Sequence, residues 1–171
     1  MRLKPNYFLI PLITVIVAVL GSYFSSVGMR WYETQIIKPV ITPPNWAFPL
    51  AWNIIFVLAT ISALIIWNRG SRENKILAIL LRKKSSKKFW IVIGLFIFNA
   101  LLNLLWSLFF FTFHLIEISF YNLIILEITT VLIMIFSWSI SKFASLLLLP
   151  YVLWVGWAGI LLFQILALNA S

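Results

Sequence analysis

Apolar residues gather along this chain in five long runs, at 7–27, 46–67, 89–111, 116–140 and 143–168. Each approaches or exceeds the ~20 residues that a helix needs to cross a ~30 Å hydrocarbon core. The runs are apolar on every side instead of alternating, so they read as helices and not as strands of a closed barrel. In lipid the backbone must satisfy its own hydrogen bonds, and a helix does so within one segment. The pattern predicts an all-α membrane protein, a bundle of five transmembrane helices forming a single domain over residues 1–171.

The segments between the runs carry the polar signals. Residues 68–88 hold most of the basic side chains, and within them 76–81 is a short apolar stretch that reads as interfacial, not spanning. Arg2 and Lys4 precede the first run as they would in a signal peptide. That run is longer than a typical signal-peptide core and no A-x-A cleavage site follows it, so it is read as a membrane span. Arg2, Lys4, the basic residues of 68–88 and Lys142 fall on one side of a five-span protein, against only Arg30 and Lys38 on the other. The positive-inside bias then places the N-terminus and loop 68–88 in the cytoplasm, and loop 28–45 and the C-terminus outside.

Composition sharpens this picture. Only 10% of residues are charged, where a soluble domain carries roughly 25%. The net charge of +9 sits in short segments between apolar runs, which suits membrane topology and not nucleic-acid binding. The absence of cysteine excludes disulfides, thiol catalysis and thiolate metal sites. The lipid bilayer is the first partner to be expected.

Aromatic residues make up 17% of the chain. Trp46, Trp67, Trp90 and Trp138 fall near span ends, where aromatic belts form. Trp52, Trp106, Trp154 and Trp157 lie inside the spans and need another reason. Helical rise puts Trp52 and Asn53 ~10 Å below the outer surface. Asn103, Trp106, Tyr121 and Asn122 come to a similar depth, Asn99 lies deeper, and Trp154, Trp157 and Ala158 lie near the middle. Asn99, Asn103 and Trp106 share one face of the third span, and Phe110 continues it. Amides on such a face serve either to bond neighbouring helices or to line a ligand pocket, and the spacing alone does not choose. Glu127, near the middle of the fourth span, is a functional candidate because an ionisable group at that depth is costly.

The outer segment 29–45 contains Pro39, Pro43 and Pro44, which stiffen it by fixing φ. It is long for a helix connection and lies above the polar and aromatic cluster, as a lid would. An apolar pocket with few polar groups suits a small molecule. Enzyme signatures are missing: one histidine (His114), no aspartate, no nucleophile elbow, no phosphate-binding glycine loop and no metal-ligand cluster. No catalytic or metal-binding residue is assigned.

Three stretches resemble the tryptophan-rich sensory protein / translocator protein family (TspO/MBR, the peripheral-type benzodiazepine receptor family). They are WYETQIIKPVITPPNWAFPLAW at 31–52, NALLNLLWSLFFFTFH at 99–114 and KFASLLLLPYVLWVGWA at 142–158. Their order and spacing agree with the family over about residues 28–169. The resemblance implies a five-helix bundle, often a homodimer, with a pocket beneath the first loop. It implies binding of porphyrins and other tetrapyrroles, sterols and benzodiazepine-type drugs, and a link to stress regulation or transport. Carried over by motif, the pocket residues are Tyr32, Pro44, Trp46, Trp52, Asn99, Asn103, Trp106, Phe110, Trp154 and Ala158. Protoporphyrin or a heme-like tetrapyrrole is the expected ligand, with no covalent cofactor.

The chain departs from the family at several positions. Asn99 stands where glutamine is frequent, and Leu108 where proline is frequent. Gly159–Leu162 replaces the usual Thr-x-Leu-Asn after Ala158, and no basic residue follows Lys142 to complete the sterol-associated motif. A ligand-binding sensor or carrier is the leading expectation. The alternatives are an enzyme that degrades bound porphyrin in a light- or oxygen-dependent reaction, and a structural subunit of a membrane complex.

Overall fold

The computed structural model describes residues 5–81 and 87–169, with side chains defined outside 72–86. The basic residues at 2, 4 and 82–84, and the side chains of those at 72 and 75, on which much of the orientation rests, lie outside that description, as do the side chains of the apolar stretch 76–81. Five helices among the described residues are long and apolar enough to cross a membrane, as the sequence predicts.

They are α1 (Asn6–Thr34), α2 (Ala47–Leu81), α3 (Lys87–Ser107), α4 (Ile116–Trp138) and the pair α5 (Lys142–Leu146) and α6 (Leu149–Asn169). Two boundaries move. α1 passes beyond residue 27 to Thr34, so the expected lid shortens to 35–46, and α2 continues past Trp67 to Leu81. The polar residues at these places end the apolar run but not the helix.

The fifth span is not one continuous helix. Leu147 and Leu148 form a turn between α5 and α6, and Pro150 sits in the first turn of α6. A proline there lacks the N–H that would bond back to Leu146 and crowds that residue's carbonyl, so an unbroken helix is disfavoured. Ser141 caps α5 by accepting the Ala144 N–H at 3.3 Å. The Ala144 carbonyl accepts the Ser62 hydroxyl at 2.7 Å, which ties the break to α2.

α3 ends in a wide π-helical turn, Leu108–Thr112, in which the Phe113 N–H reaches the Leu108 carbonyl at 3.0 Å. His114 then takes a left-handed φ of 57° and reverses the chain into α4. Its ring stacks on Trp31 with 4.1 Å between centroids. α1 meets the π turn backbone to backbone: a Cβ on Gly28 would stand 1.9 Å from the Phe111 carbonyl oxygen, so only glycine fits this approach.

One end of the bundle is marked by Asn6–Asn68 (3.3 Å) and Arg69–Ser141 (3.1 Å) hydrogen bonds and is called the basic end. At the other, the loop end, Asn169 clamps Ile37 on both sides. Its carbonyl accepts the Ile37 N–H and its amide donates to the Ile37 carbonyl, each at 3.0 Å. Each end has its own buried core. Ile66, Val92, Ile133, Ala144 and Leu148 pack the basic end, while a larger cluster that includes Tyr32, Ile55, Phe110, Tyr151 and Leu162 occupies the loop end.

Candidate ligand cavity

The loop-end core is hollow. A cavity of about 330 Å³ lies among α1, α2, the end of α3, α4 and α6. This is the low end of the range for small-molecule sites.

Each wall follows from local sequence. α1 contributes Ala18, Gly21, Ser22, Ser25, Ser26 and Met29, spaced so that they share one helical face. These small side chains leave the space that the opposite walls frame with rings. Phe48, Trp52 and Phe56 come from α2 at intervals of four, Trp106, Phe110 and Phe111 from α3 and its π turn, and Trp154 from α6. Trp106 and Phe110 stack nearly parallel, at 5.5 Å and 5°. Trp52 lies 6.4 Å from Trp106, and Phe48 meets Trp154 edge-on at 6.0 Å.

Of the residues carried over by motif, Tyr32, Trp52, Asn103, Trp106, Phe110, Trp154 and Ala158 border this cavity. Pro44, Trp46 and Asn99 do not. Trp46, just before α2, is 67% exposed and faces outward. Asn99 is buried one turn deeper and its amide is fully engaged. It donates to the Thr129 and Thr130 hydroxyls, each at 2.9 Å, and its carbonyl accepts the Tyr151 hydroxyl at 2.9 Å. Asn103 in turn donates to the Tyr151 oxygen at 3.1 Å. Asn99 therefore bonds α3 to α4 and α6 beneath the cavity, while Asn103 keeps its carbonyl oxygen as an acceptor toward it.

Two α4 residues expected at a similar depth do not border the cavity. Tyr121 is exposed on the outer surface of the bundle, and Asn122 is buried away from the cavity. Conversely, sequence reasoning missed the α1 face, Phe48, Phe56 and Phe111. The run of small residues from Gly21 to Gly28 was the available signal for the first. Nothing in an ideal helical period would have put both Phe110 and Phe111 on one wall; the π turn does.

The polar inventory of the cavity is small and neutral. Tyr32 Oη and Trp106 Nε1 are buried without a protein hydrogen-bond partner. A buried donor left this way costs about 1–3 kcal/mol, which an acceptor on a ligand would recover. No lining residue is charged. A cation stands close to this inventory: Lys38 in the loop, whose Nζ is 4.4 Å from the centre of the Tyr32 ring. Near the cavity mouth, Asn45 donates to Glu33 at 2.8 Å and holds the end of the loop to α1.

Comparison with known proteins places this architecture. The model of the TspO/MBR family matches residues 9–168. The chain is 34% identical over 149 residues to the tryptophan-rich protein TspO of Chlorobaculum tepidum, covering 87% of this chain and 86% of that one. It is 34% identical over 167 residues to the TspO of Archaeoglobus fulgidus, covering 95% and 99%. It is also 33% identical over 139 residues to the protein CrtK of Rhodobacter capsulatus, covering 81% and 78%. With five membrane-spanning helices and a match over nearly its whole length, the chain is an integral multi-pass membrane protein that belongs to the TspO/MBR family.

Proposed function

We propose that the protein is a membrane sensor or carrier that binds tetrapyrroles, such as porphyrins and heme-like molecules, and related flat hydrophobic compounds in the loop-end cavity. The observation that carries this reading is the pairing of planar walls with unused donors: Trp52, Trp106, Phe110 and Trp154 offer ring faces, while Tyr32 and Trp106 offer buried hydrogen-bond donors. Flat rings stacked on flat rings gain roughly 0.5–1.5 kcal/mol per pair beyond buried area. The neutral lining favours a ligand whose charged groups stay outside, near Lys38. Sterols belong to the same reading as apolar ligands of the cavity, although the charged sterol-associated motif is absent. The reading includes a homodimer as the working form, with the loop end outside the cell.

A second reading is light- or oxygen-dependent breakdown of the bound porphyrin. It is favoured by the 6.4 Å separation of Trp52 and Trp106, which puts two oxidisable indoles side by side on the cavity wall.

One experiment separates these readings. Purified protein is titrated with protoporphyrin while tryptophan emission and the Soret band are followed, in the dark and in light. Saturable quenching with a shifted but persistent Soret band is expected for a carrier or sensor. Light-dependent loss of the band with new products would favour the enzyme. Absence of saturable quenching would remove both and leave a structural subunit.

A further inference from the structure

A second recess lies on the opposite side of the α4–α6 pair. It measures about 400 Å³ and is bordered by Phe120, Ile124, Glu127 and Ile128 of α4 and by Val155, Gly156, Gly159, Ile160 and Phe163 of α6. Leu123 borders both this recess and the aromatic cavity and divides them. Ile128, Ile160 and Phe163 are exposed, so the recess faces lipid.

Its chemistry is unusual because it holds one carboxyl group and otherwise only apolar side chains. Glu127 is the midpoint of the 23-residue α4. At ~1.5 Å per residue it therefore stands ~16 Å from either end of that helix. One carboxyl oxygen, Oε2, is buried without a hydrogen-bond partner. The other, Oε1, lies over bare α6 backbone, 3.6 Å from where a Cβ on Gly156 would be. No protein cation reaches this depth among the described residues: Arg69, Lys87, Lys88 and Lys142 lie toward the basic end, and Arg30, Lys38 and His114 toward the loop end.

A carboxyl group in hydrocarbon is held most cheaply by a donor or a cation that arrives with its own apolar body. We propose that this recess is a second binding site, distinct from the aromatic cavity, for a lipophilic ammonium ion. Its hydrocarbon part lies against Phe120, Phe163 and the glycine floor, and its N–H groups bond the Glu127 carboxylate. A second copy of the chain is a poorer occupant. A symmetric interface centred here would bring Glu127 against its own equivalent, acid to acid, and no basic side chain to either.

The test uses the full chain in phosphatidylcholine nanodiscs, which carry no net lipid charge, with tritiated 1-adamantylammonium as the probe. Saturable binding is expected in the wild type, with 1-adamantanol failing to compete. Glu127→Gln, nearly isosteric, should weaken binding at least tenfold, and Gly156→Leu, which fills the recess, should do the same. Trp52→Ala should leave it unchanged. Equal binding by wild type and Glu127→Gln overturns the proposal. Loss of binding in Trp52→Ala also overturns it, by sending the amine to the aromatic cavity. An absence of wild-type binding, together with a change of oligomer mass in Gly156→Leu, overturns it in favour of a second copy.

Discussion

The two ends of this bundle are made by the same helices, yet one is solid and the other hollow. At the basic end, Ile66, Val92, Ile133 and Leu148 interdigitate with buried Ser62, Ala144 and Ser145, and their exposures are 0–1%. Branched aliphatic and very small side chains mesh across helices and fill space to crystal-like density. At the loop end, Phe48, Trp52, Phe56, Trp106, Phe110, Phe111 and Trp154 set rings along the cavity. Rings are rigid, meet at offset or edge-on angles and do not fold into one another's gaps. Set opposite the small-residue face of α1, they frame a space instead of filling it. Between the two lies the Asn99–Tyr151–Asn103 chain of hydrogen bonds, with Thr129 and Thr130, as a polar floor. The contrast teaches that cavity formation here depends on side-chain shape together with the π turn that sets Phe110 and Phe111 on one wall.

The comparison can be broken most severely at Gly28. Gly28→Leu must push α1 away from the Phe111 carbonyl, backbone against backbone. Overpacking typically costs ~1–3 kcal/mol, and with no flexible neighbour to yield the cost falls at or above the top of that range. A large fall in melting temperature together with loss of ligand quenching is expected. An unchanged melting curve would show that α1 can sit elsewhere without cost.

Ile133→Ala tests the solid end. Removing this buried side chain should destabilise the fold by ~2–5 kcal/mol, as in other large-to-small core changes, while ligand affinity stays within about twofold. A comparable loss of affinity would mean that the two ends are mechanically coupled.

Trp52→Ala is the converse test on the hollow end. It should weaken tetrapyrrole binding about tenfold, equivalent to ~1.4 kcal/mol, with little change in melting temperature. Trp67→Ala, which removes a ring packed on Phe89 and Trp90 at the basic end, should leave the dissociation constant unchanged. Equal effects on binding would show that the tryptophans act as membrane anchors and not as cavity walls.

The smallest effect is expected at the clamp. Asn169→Ala removes two hydrogen bonds from the loop at Ile37, each worth a net ~0.5–1.5 kcal/mol. Ligand should enter and leave a few-fold faster in stopped-flow quenching, with the equilibrium affinity little changed. Unaltered rates would remove the loop from the entry route.

Much of this architecture was legible in the sequence because lipid imposes a strict demand: long apolar runs must be helices. What apolarity cannot mark is where a helix stops in water, and so α1 and α2 run longer than their greasy parts. The break at Leu147 and Leu148 was signalled by Pro150, but the uninterrupted apolar run concealed it. Within the site, depth along a helix says nothing of the direction in which a side chain is rotated. Tyr121 faces outward from the bundle. Asn99 and Asn103 share one face and one chemistry, and only the hydroxyls of Thr129 and Thr130 across the interface decide which amide is consumed. The role of α1 was hidden because small residues look alike whether they line a seam or a void.

Residues 7–27 of α1 include no buried position, and its most apolar stretch has a mean hydropathy of 2.2. Its buried residues, Asn6, Gly28 and Tyr32, lie only near its two ends. As the earliest of the five spans to leave the ribosome, α1 can thus enter the bilayer and remain there without waiting for neighbours, since lipid alone satisfies its flanks. The other four spans bury a larger share of their most apolar stretches inside the bundle. α1 still meets the rest of the bundle along one face, through the Thr60–Thr14 hydroxyl bond at 2.8 Å, the small residues of the cavity wall and Gly28 at the π turn, so its placement closes one wall of the aromatic cavity. Supplied as a separate peptide, α1 should rejoin a chain that lacks it and restore quenching by porphyrin.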